Sequence, residues 1–232
     1  MPPIRTALIG LSTSSDLTNW AAIAHLPYLK QSSKYKITAL CNSTAEKARA
    51  SIKHYDLPDA TKSYGSPEEV ANDPDVDFVV CVVGVEQHYE MLVPSIKAGK
   101  NIYTELPLAI DIQKCRHLAH LAEQKQIRTM IGMQGQASPA LNTIKKVIND
   151  KLGKVTTSTV TAYSGFFSGD PFPESFGRMV NLQGANMLTV WFLHSKICHC
   201  PVICGKHTLK THHQLSTTSS TSSENSTLSI PC

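Results

Sequence analysis

The sequence predicts an α/β fold in which a parallel sheet is wound on both faces with helices. Along the first 133 residues, short apolar segments alternate with helix-forming segments of about 10 to 15 residues, and this order builds parallel sheets. The segment "DFVVCVV", residues 77–83, is a continuous apolar run, as expected of a strand covered on both faces. A glycine ends the first apolar segment, where a strand turns into a helix.

The individual elements follow from apolar spacing and from turn residues. Apolar and β-branched residues cluster in short segments that we predict as strands. These strands are residues 4–10, 35–41, 77–83, 101–104 and 128–133. Apolar residues recur at helical spacing in the segments between them. These helices are residues 21–31, 44–55, a helix that begins after Ser66, 86–98, and Asp111 to about Lys125.

Several helix boundaries have a specific sequence signal. Ser66, Pro67 and Glu69 form an N-terminal signature, because the serine caps, the proline suits the first turn and the glutamate stands three residues after the cap. Asp111 is a second capping residue. Gly99 ends the helix before it, because glycine tolerates the left-handed conformation of a helix C-terminus.

Composition excludes several classes of function. The chain has 232 residues, 41% of them hydrophobic, which is enough for one large domain or for a domain and part of another. The net charge of +4 is scattered, so we expect no direct binding to nucleic acid or to a membrane surface. No apolar stretch approaches the ~20 residues that cross a bilayer, and the N-terminus is too weakly apolar for a signal peptide. We expect a cytoplasmic protein whose seven cysteines are reduced.

The first strand, turn and helix have the order with which dinucleotide-binding folds begin. In these folds the pyrophosphate binds backbone amides at the helix N-terminus, where the helix dipole favours an anion. The usual fingerprint is G-x-G-x-x-G, but here Gly10 stands alone and is followed by Ser12 to Ser15. A simple strand-ending turn is the alternative interpretation of a single glycine.

The end of the second strand bears on the choice between NAD and NADP. An acidic residue at this position usually binds the adenosine ribose. Here the sequence is Cys41-Asn42-Ser43-Thr44, with no carboxylate. Ser43, Thr44 and Lys47 are suited to contact a 2′-phosphate, so both NAD and NADP stay open as cofactors.

The organisation changes after residue 133. We predict a dinucleotide-binding domain at 1–133, part of a second α/β domain at 134–197, and a tail at 198–232. The tail is rich in Cys and His and then in Ser and Thr, and its second half has few apolar residues, which predicts disorder. The C-x-C-x3-C spacing that begins at Cys198 is not a recognised structural zinc pattern, so we expect no metal.

Several motifs resemble the Gfo/Idh/MocA family, the group of glucose-fructose oxidoreductase and inositol dehydrogenase. The family motif A-G-K-x-V-x-x-E-K-P-x-A resembles "AGKNIYTELPLA", residues 98–109, with Leu106 in place of the lysine. The segment "VVCVVGVEQHYE" has His88 at the place of a family loop histidine. The segment "GANMLTVWFLH" ends in His194, with Val190 where the family has an aspartate.

A subgroup of the family is more similar still. The segments "VEQHYE", "MQGQASP" and "GANMLTVWFLH" are similar to the fungal galactose-regulon repressor-like subgroup, which also lacks the lysine. The resemblance covers roughly residues 4 to 195. It implies a Rossmann-like domain followed by an α/β substrate domain. We expect the substrate domain here to be truncated, or the chain to leave the family's reading frame near residues 195–200.

The resemblance and the strand-turn-helix pattern together select the candidate site residues. The cofactor-binding candidates are Gly10, Ser12, Trp20, Asn42, Ser43, Gly84, His88, Glu105, Pro107 and Gln134. The catalytic candidates are Glu105 and His194. The resemblance implies that Glu105 lies beside the nicotinamide and that Pro107 fixes the turn through a cis peptide bond. It also implies that Leu106 occupies the place of a proton-transferring lysine, and such groups contribute roughly 100- to 10,000-fold to a rate.

Three of the residues with aromatic rings have an alternative interpretation. Trp20 is expected to pack against the cofactor or to be a half-buried loop aromatic. His88 is expected to bind the nicotinamide ribose or to line its loop, and His194 to contact a substrate or to be structural. His25, on an apolar helix, is expected to be a core residue with its hydrogen bonds satisfied.

Two functions follow from the resemblance. The first is an NAD(P)-dependent oxidoreductase that moves a hydride between the nicotinamide and a sugar-like or other small hydroxy or keto compound, impaired by the loss of the lysine. The second is a non-catalytic regulator, cytoplasmic or nuclear, that senses a dinucleotide and binds a protein partner. A homo-oligomer is compatible with either function.

Overall fold

A computed structural model of the chain describes residues 2–15, 19–133 and 137–152, and the backbone of 207–210 and 227–230. The chain divides into two compact units, and the described residues up to 133 belong to the first. The strands of the first unit are β1 (Ile4–Ile9), β2 (Tyr35–Cys41), β3 (Lys62–Tyr64), β4 (Phe78–Cys81), β5 (Asn101–Glu105) and β6 (Thr129–Gly132). Its α-helices are α1 (Leu26–Gln31), α2 (Ala45–His54), α3 (Pro67–Asn72), α4 (Val85–Lys97) and α5 (Ile112–Gln124).

The six strands form one parallel sheet with the order β3-β2-β1-β4-β5-β6. This is the order of doubly wound dinucleotide-binding sheets, so the predicted fold class is confirmed. The ends of the predicted strands and helices differ from the observed ones by one or two residues. The strand β3 is the one element of this sheet that the sequence pattern did not predict.

The helix boundaries are formed as their residues predict. The Ser66 side chain accepts a hydrogen bond from the Glu69 N–H while the Glu69 carboxylate binds the Ser66 N–H, which completes the capping box of α3. Asp111 caps α5 by accepting from the Lys114 N–H at 2.7 Å. Gly99 follows α4 with a φ of 79°, a conformation in which a side chain is strained.

The helix after β1 begins with a π-helical turn, Ala21–His25, before α1. The Leu26 N–H reaches back to the Ala21 carbonyl oxygen, one residue further than in an α-helix. Pro27 follows at once, and proline has no N–H and clashes with the carbonyl four residues before it. The wider turn therefore accommodates the proline without breaking the helix.

Alternate residues of the central strands pack on opposite faces of the sheet. Ile9 and Val79 belong to a core that includes residues of α3, α4 and α5. Leu8 and Val80 belong to a second core that includes residues of α1 and α2. These side chains are almost fully buried, and each contributes about 1.5–3 kcal/mol to the free energy of folding. The two cores fix the sheet that positions the loops at its edges.

The second unit is described in less detail. The helix α6 (Pro139–Val147) continues into a π-helical segment, Ile148–Leu152. The strands β7 (His207–Lys210) and β8 (Thr227–Ile230) pair antiparallel. The rest of the tail lies outside the described residues, and its disorder stays a prediction. Among the described residues, no helix has the length and apolar character needed to cross a membrane.

Candidate functional site

The carboxyl ends of the parallel strands meet at one edge of the sheet. Strand β1 lies between β2 and β4, so the chain changes its winding direction at β1. Ligands of doubly wound sheets bind in the crevice outside the carboxyl ends of the strands at this switch point. The candidate site is therefore built from the loops that follow β1, β2, β4 and β5.

Gly10 follows β1 in a conformation that favours glycine, with a φ of 95°. A side chain there would overlap the carbonyl oxygen of Val82 and would lie 2.8 Å from the Cγ1 atom of Val83. The Gly10 N–H donates to the Cys41 carbonyl oxygen at 3.0 Å. The glycine thus lets the ends of β1, β2 and β4 approach closely, and its contact with a phosphate stays a prediction.

The carbonyl oxygen of Leu11 is held inside the protein by two side chains. It accepts hydrogen bonds from Asn42 Nδ2 at 2.8 Å and from Ser51 Oγ at 2.7 Å. Asn42 lies directly after β2, and Ser51 is buried on α2. Asn42, a predicted cofactor-binding residue, therefore contacts the loop after β1 rather than the open edge.

The next carbonyl oxygens of this loop are anchored in the same way. The Ser12 carbonyl oxygen accepts from Asn19 Nδ2 at 2.8 Å and from the Tyr55 hydroxyl at 2.6 Å. The Ser14 carbonyl oxygen accepts from Asn19 Nδ2 at 2.7 Å. The Ser12 side chain itself is exposed, and its Oγ accepts from the Ser14 N–H at 3.0 Å. Buried Asn19 is the central anchor of the loop.

The anchored carbonyls decide where the loop amides point. In a trans peptide the C=O of one residue and the N–H of the next point in opposite directions. The carbonyls of Leu11, Ser12 and Ser14 face inward. The N–H groups of Ser12, Thr13 and Ser15 therefore face away from these anchors. Clustered backbone N–H groups of this kind bind anions.

The end of β2 presents a hydroxyl group and an ammonium group together. Lys47 Nζ donates to Ser43 Oγ at 3.1 Å, and both residues are exposed. The Thr44 hydroxyl caps α2 by accepting from the Lys47 N–H at 3.2 Å. Glu46 lies in the same turn, where hydrogen bonds from its own N–H and from the Thr44 hydroxyl lower the pKa of its carboxyl.

Glu105 ends β5 and forms the most enclosed ion pair of this edge. Its Oε1 lies 2.5 Å from His25 Nε2 and accepts from the Tyr103 hydroxyl at 3.0 Å. The His25 and Glu105 side chains are only 16% and 13% exposed. The rings of His25 and Tyr103 meet edge to face, with centroids 5.1 Å apart. His25 is thus not a simple core residue, because its ring binds a carboxylate at the edge of the site.

Two features keep this cluster in place. Burial and the neighbouring Glu105 carboxylate raise the pKa of Tyr103 well above its ordinary value, so its hydroxyl stays protonated and donates. Gly132 lies opposite Glu105 on β6, and a side chain there would overlap the Tyr103 hydroxyl and lie 2.8 Å from Glu105 Oε2. The glycine therefore leaves space for both groups.

His88 bridges the loops after β4 and β5. Its ring is 1% exposed, with Nδ1 2.9 Å from the Pro107 carbonyl oxygen and Nε2 3.1 Å from the Val83 carbonyl oxygen. Burial lowers the pKa of His88, although the carbonyl contacts and Glu105 act in the opposite direction. The structure thus places His88 as a loop-positioning residue, and contact with a ribose stays a prediction.

The other predicted site residues lie around this cluster. The Leu106–Pro107 peptide bond is cis, which confirms the prediction for that turn. Half-buried Leu106 follows Glu105 directly. Gly84 is exposed and precedes α4, and the Glu86 carboxylate occupies the space that a side chain of residue 84 would need. Trp20 is 42% exposed beside the loop after β1.

Two predicted residues cannot be placed. Gln134 and His194 lie outside the described residues, as does Val190. The Cys/His-rich cluster from Cys198 to Cys204 lies outside them as well.

Sequence reasoning missed four residues that shape the site: Asn19, His25, Ser51 and Tyr55. Three of them act across a long stretch of chain, for example 80 residues between His25 and Glu105 and 43 between Tyr55 and Ser12, whereas Asn19 binds the Ser12 carbonyl oxygen only seven residues away. The available signal was the predicted fold itself, which brings the helix after β1 and the end of β5 to one edge.

Comparisons with known proteins agree with this geometry. The family model described as "Oxidoreductase family, NAD-binding Rossmann fold" matches residues 4–133. The chain is similar to the dehydrogenase aclE of Aspergillus oryzae, with 32% identity over 166 residues, covering 71% of this chain and 45% of the relative. It is also similar to the galactose/lactose metabolism regulatory protein GAL80 of Saccharomyces cerevisiae, with 26% identity over 202 residues, covering 83% of this chain and 46% of the relative.

Solved structures give the same result for the fold. The crystal structure of a super-repressor mutant of Gal80p from Saccharomyces cerevisiae matches with a TM-score of 0.58 and 27% identity, covering 65% of this chain and 39% of that one. The 3-ketoreductase KijD10 from Actinomadura kijaniata, in complex with NADP, matches in fold with a TM-score of 0.55 and 20% identity, covering 64% of this chain and 44% of that one. The chain spans about half the length of the curated relatives it matches.

Proposed function

Because the chain belongs to the Gfo/Idh/MocA family of NAD-binding oxidoreductases, we propose that it binds a nicotinamide dinucleotide across the carboxyl edge of its sheet. The anchored loop after β1 carries this proposal. The carbonyl oxygens of Leu11, Ser12 and Ser14 are turned inward, so the N–H groups that follow them are available to a pyrophosphate. Because Gly10 has no side chain, it does not block the approach of the pyrophosphate to these N–H groups.

The fold sets the direction of the bound dinucleotide. In doubly wound sheets the adenosine ribose lies at the end of the second strand, here at Asn42 and Ser43. The pyrophosphate then lies at the loop after β1, and the nicotinamide half extends across the switch point toward β4 and β5. This direction brings the nicotinamide toward Glu105, His25 and the Leu106–Pro107 turn.

The proposed reaction is oxidoreduction of a sugar-like or other small hydroxy or keto compound. A bound nicotinamide supplies the hydride acceptor or donor. Glu105 is held by His25 and Tyr103 and serves to orient the reacting groups. Leu106 has no proton to transfer, so the rate is reduced by roughly 100- to 10,000-fold unless another group supplies the proton. His194, as a substrate contact, belongs to this proposal.

A second candidate is a non-catalytic regulator that senses a dinucleotide and binds a protein partner. The apolar Leu106 beside Glu105 favours it, because the site then keeps its binding loop without a proton donor at that position. The similarity to GAL80, a regulatory protein, over 83% of the chain also supports it.

Thermal unfolding tests the dinucleotide binding that both candidate functions require. A ligand that binds the folded state raises the melting temperature by mass action. We expect a rise with the oxidised and reduced forms of NAD or NADP, and no rise with any of the four at millimolar concentration would overturn the proposal. Turnover of the dinucleotide with a panel of sugars, polyols and keto compounds supports the oxidoreductase. Binding without turnover supports the regulator.

We further propose that NADP is preferred over NAD. The Lys47 ammonium and the Ser43 hydroxyl lie together at the end of β2, where no carboxylate follows the strand. Lys47→Gln should weaken NADP binding by roughly tenfold and leave NAD binding unchanged, because it removes one charge from a phosphate contact. Lys53→Gln, at the far end of α2, is the matched control. Equal losses for both dinucleotides, or no loss, would contradict the preference.

A further inference from the structure

The His25–Glu105 pair is unusual among the ion pairs of the first unit because it lies at the binding edge and is mostly enclosed. The Arg5 and Lys62 side chains in the other strand-linked pairs are 41% and 40% exposed, whereas His25 is 16% exposed. The His25 ring comes from the π-helical turn and contacts Glu105 and Tyr103, both on β5. The pair therefore joins the helix after β1 to the strand that leads into the cis-proline turn.

The charge of this cluster depends on its histidine. The Tyr103 hydroxyl stays protonated, because burial and the Glu105 carboxylate raise its pKa. Glu105 accepts both hydrogen bonds through Oε1, as a carboxylate does. With a neutral His25 ring the cluster has a net charge of −1, and with a protonated ring it has no net charge. Histidine is the side chain that ordinarily changes charge in the physiological pH range.

Among the described residues, few other charged groups lie near this histidine. Besides Glu105 and Tyr103 on β5, buried His88 on α4 is close enough for its pKa to be affected by Glu105. On the histidine's own helix, Tyr28 packs against Tyr35, and Lys30 donates to the Tyr55 carbonyl oxygen at 2.7 Å. Neither of these two groups contacts the His25 ring in the described structure.

The two redox forms of a nicotinamide differ by one charge at the ring. The oxidised ring is a cation, and the reduced ring is neutral. The proposed direction of the dinucleotide takes this ring toward β5 and hence toward Glu105. A cluster with a charge of −1 attracts the oxidised ring, whereas a neutral cluster distinguishes the two forms much less.

We propose that His25 is a specificity-determining residue: its charge, combined with that of Glu105, decides how strongly the site prefers oxidised over reduced dinucleotide. The inference rests on the proposed dinucleotide binding and goes beyond it, because it assigns the discrimination between redox states to one imidazole. It applies to an oxidoreductase and to a sensing regulator alike, since both would bind the dinucleotide at the same site.

Equilibrium binding at two pH values tests this inference without relying on turnover. The affinities of the full chain for the oxidised and the reduced form of the same dinucleotide are measured by calorimetry at pH ~6 and pH ~8.5. The preference for the oxidised form should increase roughly tenfold at the higher pH, because loss of an imidazolium proton restores the negative charge of the cluster. Any 2′-phosphate is present in both forms, so its own ionisation cancels in the ratio.

Three variants complete the design. His25→Gln keeps a hydrogen-bond donor for Glu105 without a titratable charge, so the preference should be high at both pH values. Glu105→Gln should reduce the preference for the oxidised form by roughly tenfold at pH ~8.5. His54→Gln alters an exposed histidine that packs on Tyr55 and should behave as the parent protein does.

The possible results separate the inference from the function on which it rests. If the parent protein binds both forms and the ratio of the two affinities does not change with pH, the inference is overturned but the proposed function is not. A His25→Gln variant with the same pH dependence as the parent overturns the inference too. A parent protein that binds no dinucleotide overturns the proposed function as well. If His25→Gln does not fold, the inference is still tested by the pH dependence of the parent protein's affinity ratio and by the Glu105→Gln variant.

Discussion

The two ends of the six-stranded sheet are held together by different chemistry. At the amino ends of the strands, charged side chains form a connected network. Arg5 on β1 binds Asp77 through two nitrogens, at 2.7 and 2.8 Å, and also reaches Asp75 at 3.2 Å. Lys62 on β3 binds Asp73 and Asp75, each at 2.8 Å. The network joins strands on both sides of β1.

At the carboxyl ends of the strands, mostly neutral side chains hold the chain segments together. Asn19, Asn42, Ser51 and Tyr55 hold the loop after β1 through its carbonyl oxygens. Among the described residues of this edge, His25 and Glu105 form an enclosed contact between an imidazole and a carboxylate. Because the donors to the loop are neutral, they add no charge of their own beside the loop amides, which suits the binding of an anionic ligand.

The difference indicates at which end of the sheet a substitution can change the stability of the fold without changing dinucleotide binding. The amino end contributes to the free energy of unfolding and lies at the opposite edge from the candidate site. The carboxyl end contributes both to stability and to the shape of the site. Substitutions at the amino end should therefore alter the unfolding free energy with little effect on dinucleotide affinity, whereas those at the carboxyl end should alter both.

Gly10→Val should have the largest effect. The substitution forces a β-branched residue into a positive φ and places its side chain against the Val82 carbonyl. Strain and overpacking together should lower the unfolding free energy by about 3 kcal/mol or more, and the dinucleotide-induced rise in melting temperature should disappear. Urea unfolding and thermal scans with dinucleotide measure both quantities.

Gly99→Ala is the matched control for that variant. Gly99 also has a positive φ, 79°, but no atom lies within 4 Å of the position of an added side chain. The cost should be limited to the backbone strain, about 1 kcal/mol, and dinucleotide binding should be unchanged. A Gly10→Val protein as stable as Gly99→Ala would show that the close approach of β1 and β4 is not required.

Asp73→Asn should have the next largest effect and should act on stability alone. The Asp73 side chain is 1% exposed and accepts hydrogen bonds from Lys62, from Tyr64 at 2.9 Å and from the Asp75 N–H at 2.9 Å. An amide cannot accept all of these bonds, so the unfolding free energy should fall by about 2 kcal/mol in urea titrations. Asp75→Asn, whose side chain is 55% exposed, should cost less than about 1 kcal/mol. Similar losses for both variants would be inconsistent with a buried anchor at Asp73.

Acid should weaken the two ends of the sheet in different pH ranges. Burial alone would raise the pKa of Asp73, but hydrogen bonds from Lys62, the Asp75 N–H and Tyr64 outweigh it, and the pKa is lowered. The Arg5 guanidinium lowers the pKa of Asp77. Groups with a lowered folded-state pKa stabilise above their unfolded value, about 3.9 for aspartate, and lose this contribution as the pH falls further.

His88 should respond at a higher pH than the aspartates. Burial lowers its pKa, so the folded protein keeps the ring neutral where the unfolded chain already binds a proton. The unfolding free energy should therefore begin to fall below pH ~6.5 and fall again below pH ~4. Urea titrations over this range should lose the upper step in His88→Asn and part of the lower step in Asp73→Asn. A parent profile that stays level from pH ~7 to ~5 would contradict the lowered pKa of His88.

The contrast between the ends also explains what the sequence could predict. Five of the six strands and the capping box at Ser66 and Glu69 depend on local patterns, and these were predicted correctly. The cis bond before Pro107, which the family resemblance implied, is also present. The strand β3 has three residues and lacks the apolar run of the neighbouring strands, so its sequence pattern does not predict a strand. Its formation depends on pairing with β2, which is a tertiary contact.

The anchors of the site were beyond prediction for the same reason. Tyr55 meets the loop after β1 only once α2 has packed on the sheet, and nothing within either segment encodes that meeting. Asn19 binds the carbonyl oxygens of Ser12 and Ser14 within the same loop, but no familiar turn motif marks it. The roles of Asn42 and His88 also depend on distant carbonyl oxygens. Local sequence patterns therefore predicted which loops form the carboxyl edge of the sheet. The side chains that hold those loops could be identified only from the three-dimensional fold.

Tyr55→Phe should have the smallest effect, and its effect should fall on binding. The Tyr55 hydroxyl donates to the Ser12 carbonyl oxygen at 2.6 Å, so its removal frees one anchor of the loop while Asn19 still holds the same oxygen. The loss of the hydrogen bond to Ser12, about 1 kcal/mol, should lower dinucleotide affinity roughly fivefold in calorimetric titrations. The hydroxyl also accepts from Asn19 Nδ2 at 3.1 Å, so a small loss of stability should accompany the change. Tyr28→Phe is the control, because that ring is exposed and packs only on Tyr35 among the contacts described here. If Tyr55→Phe lowers stability but leaves dinucleotide affinity equal to that of Tyr28→Phe, the inward carbonyls support the loop without forming the anion site.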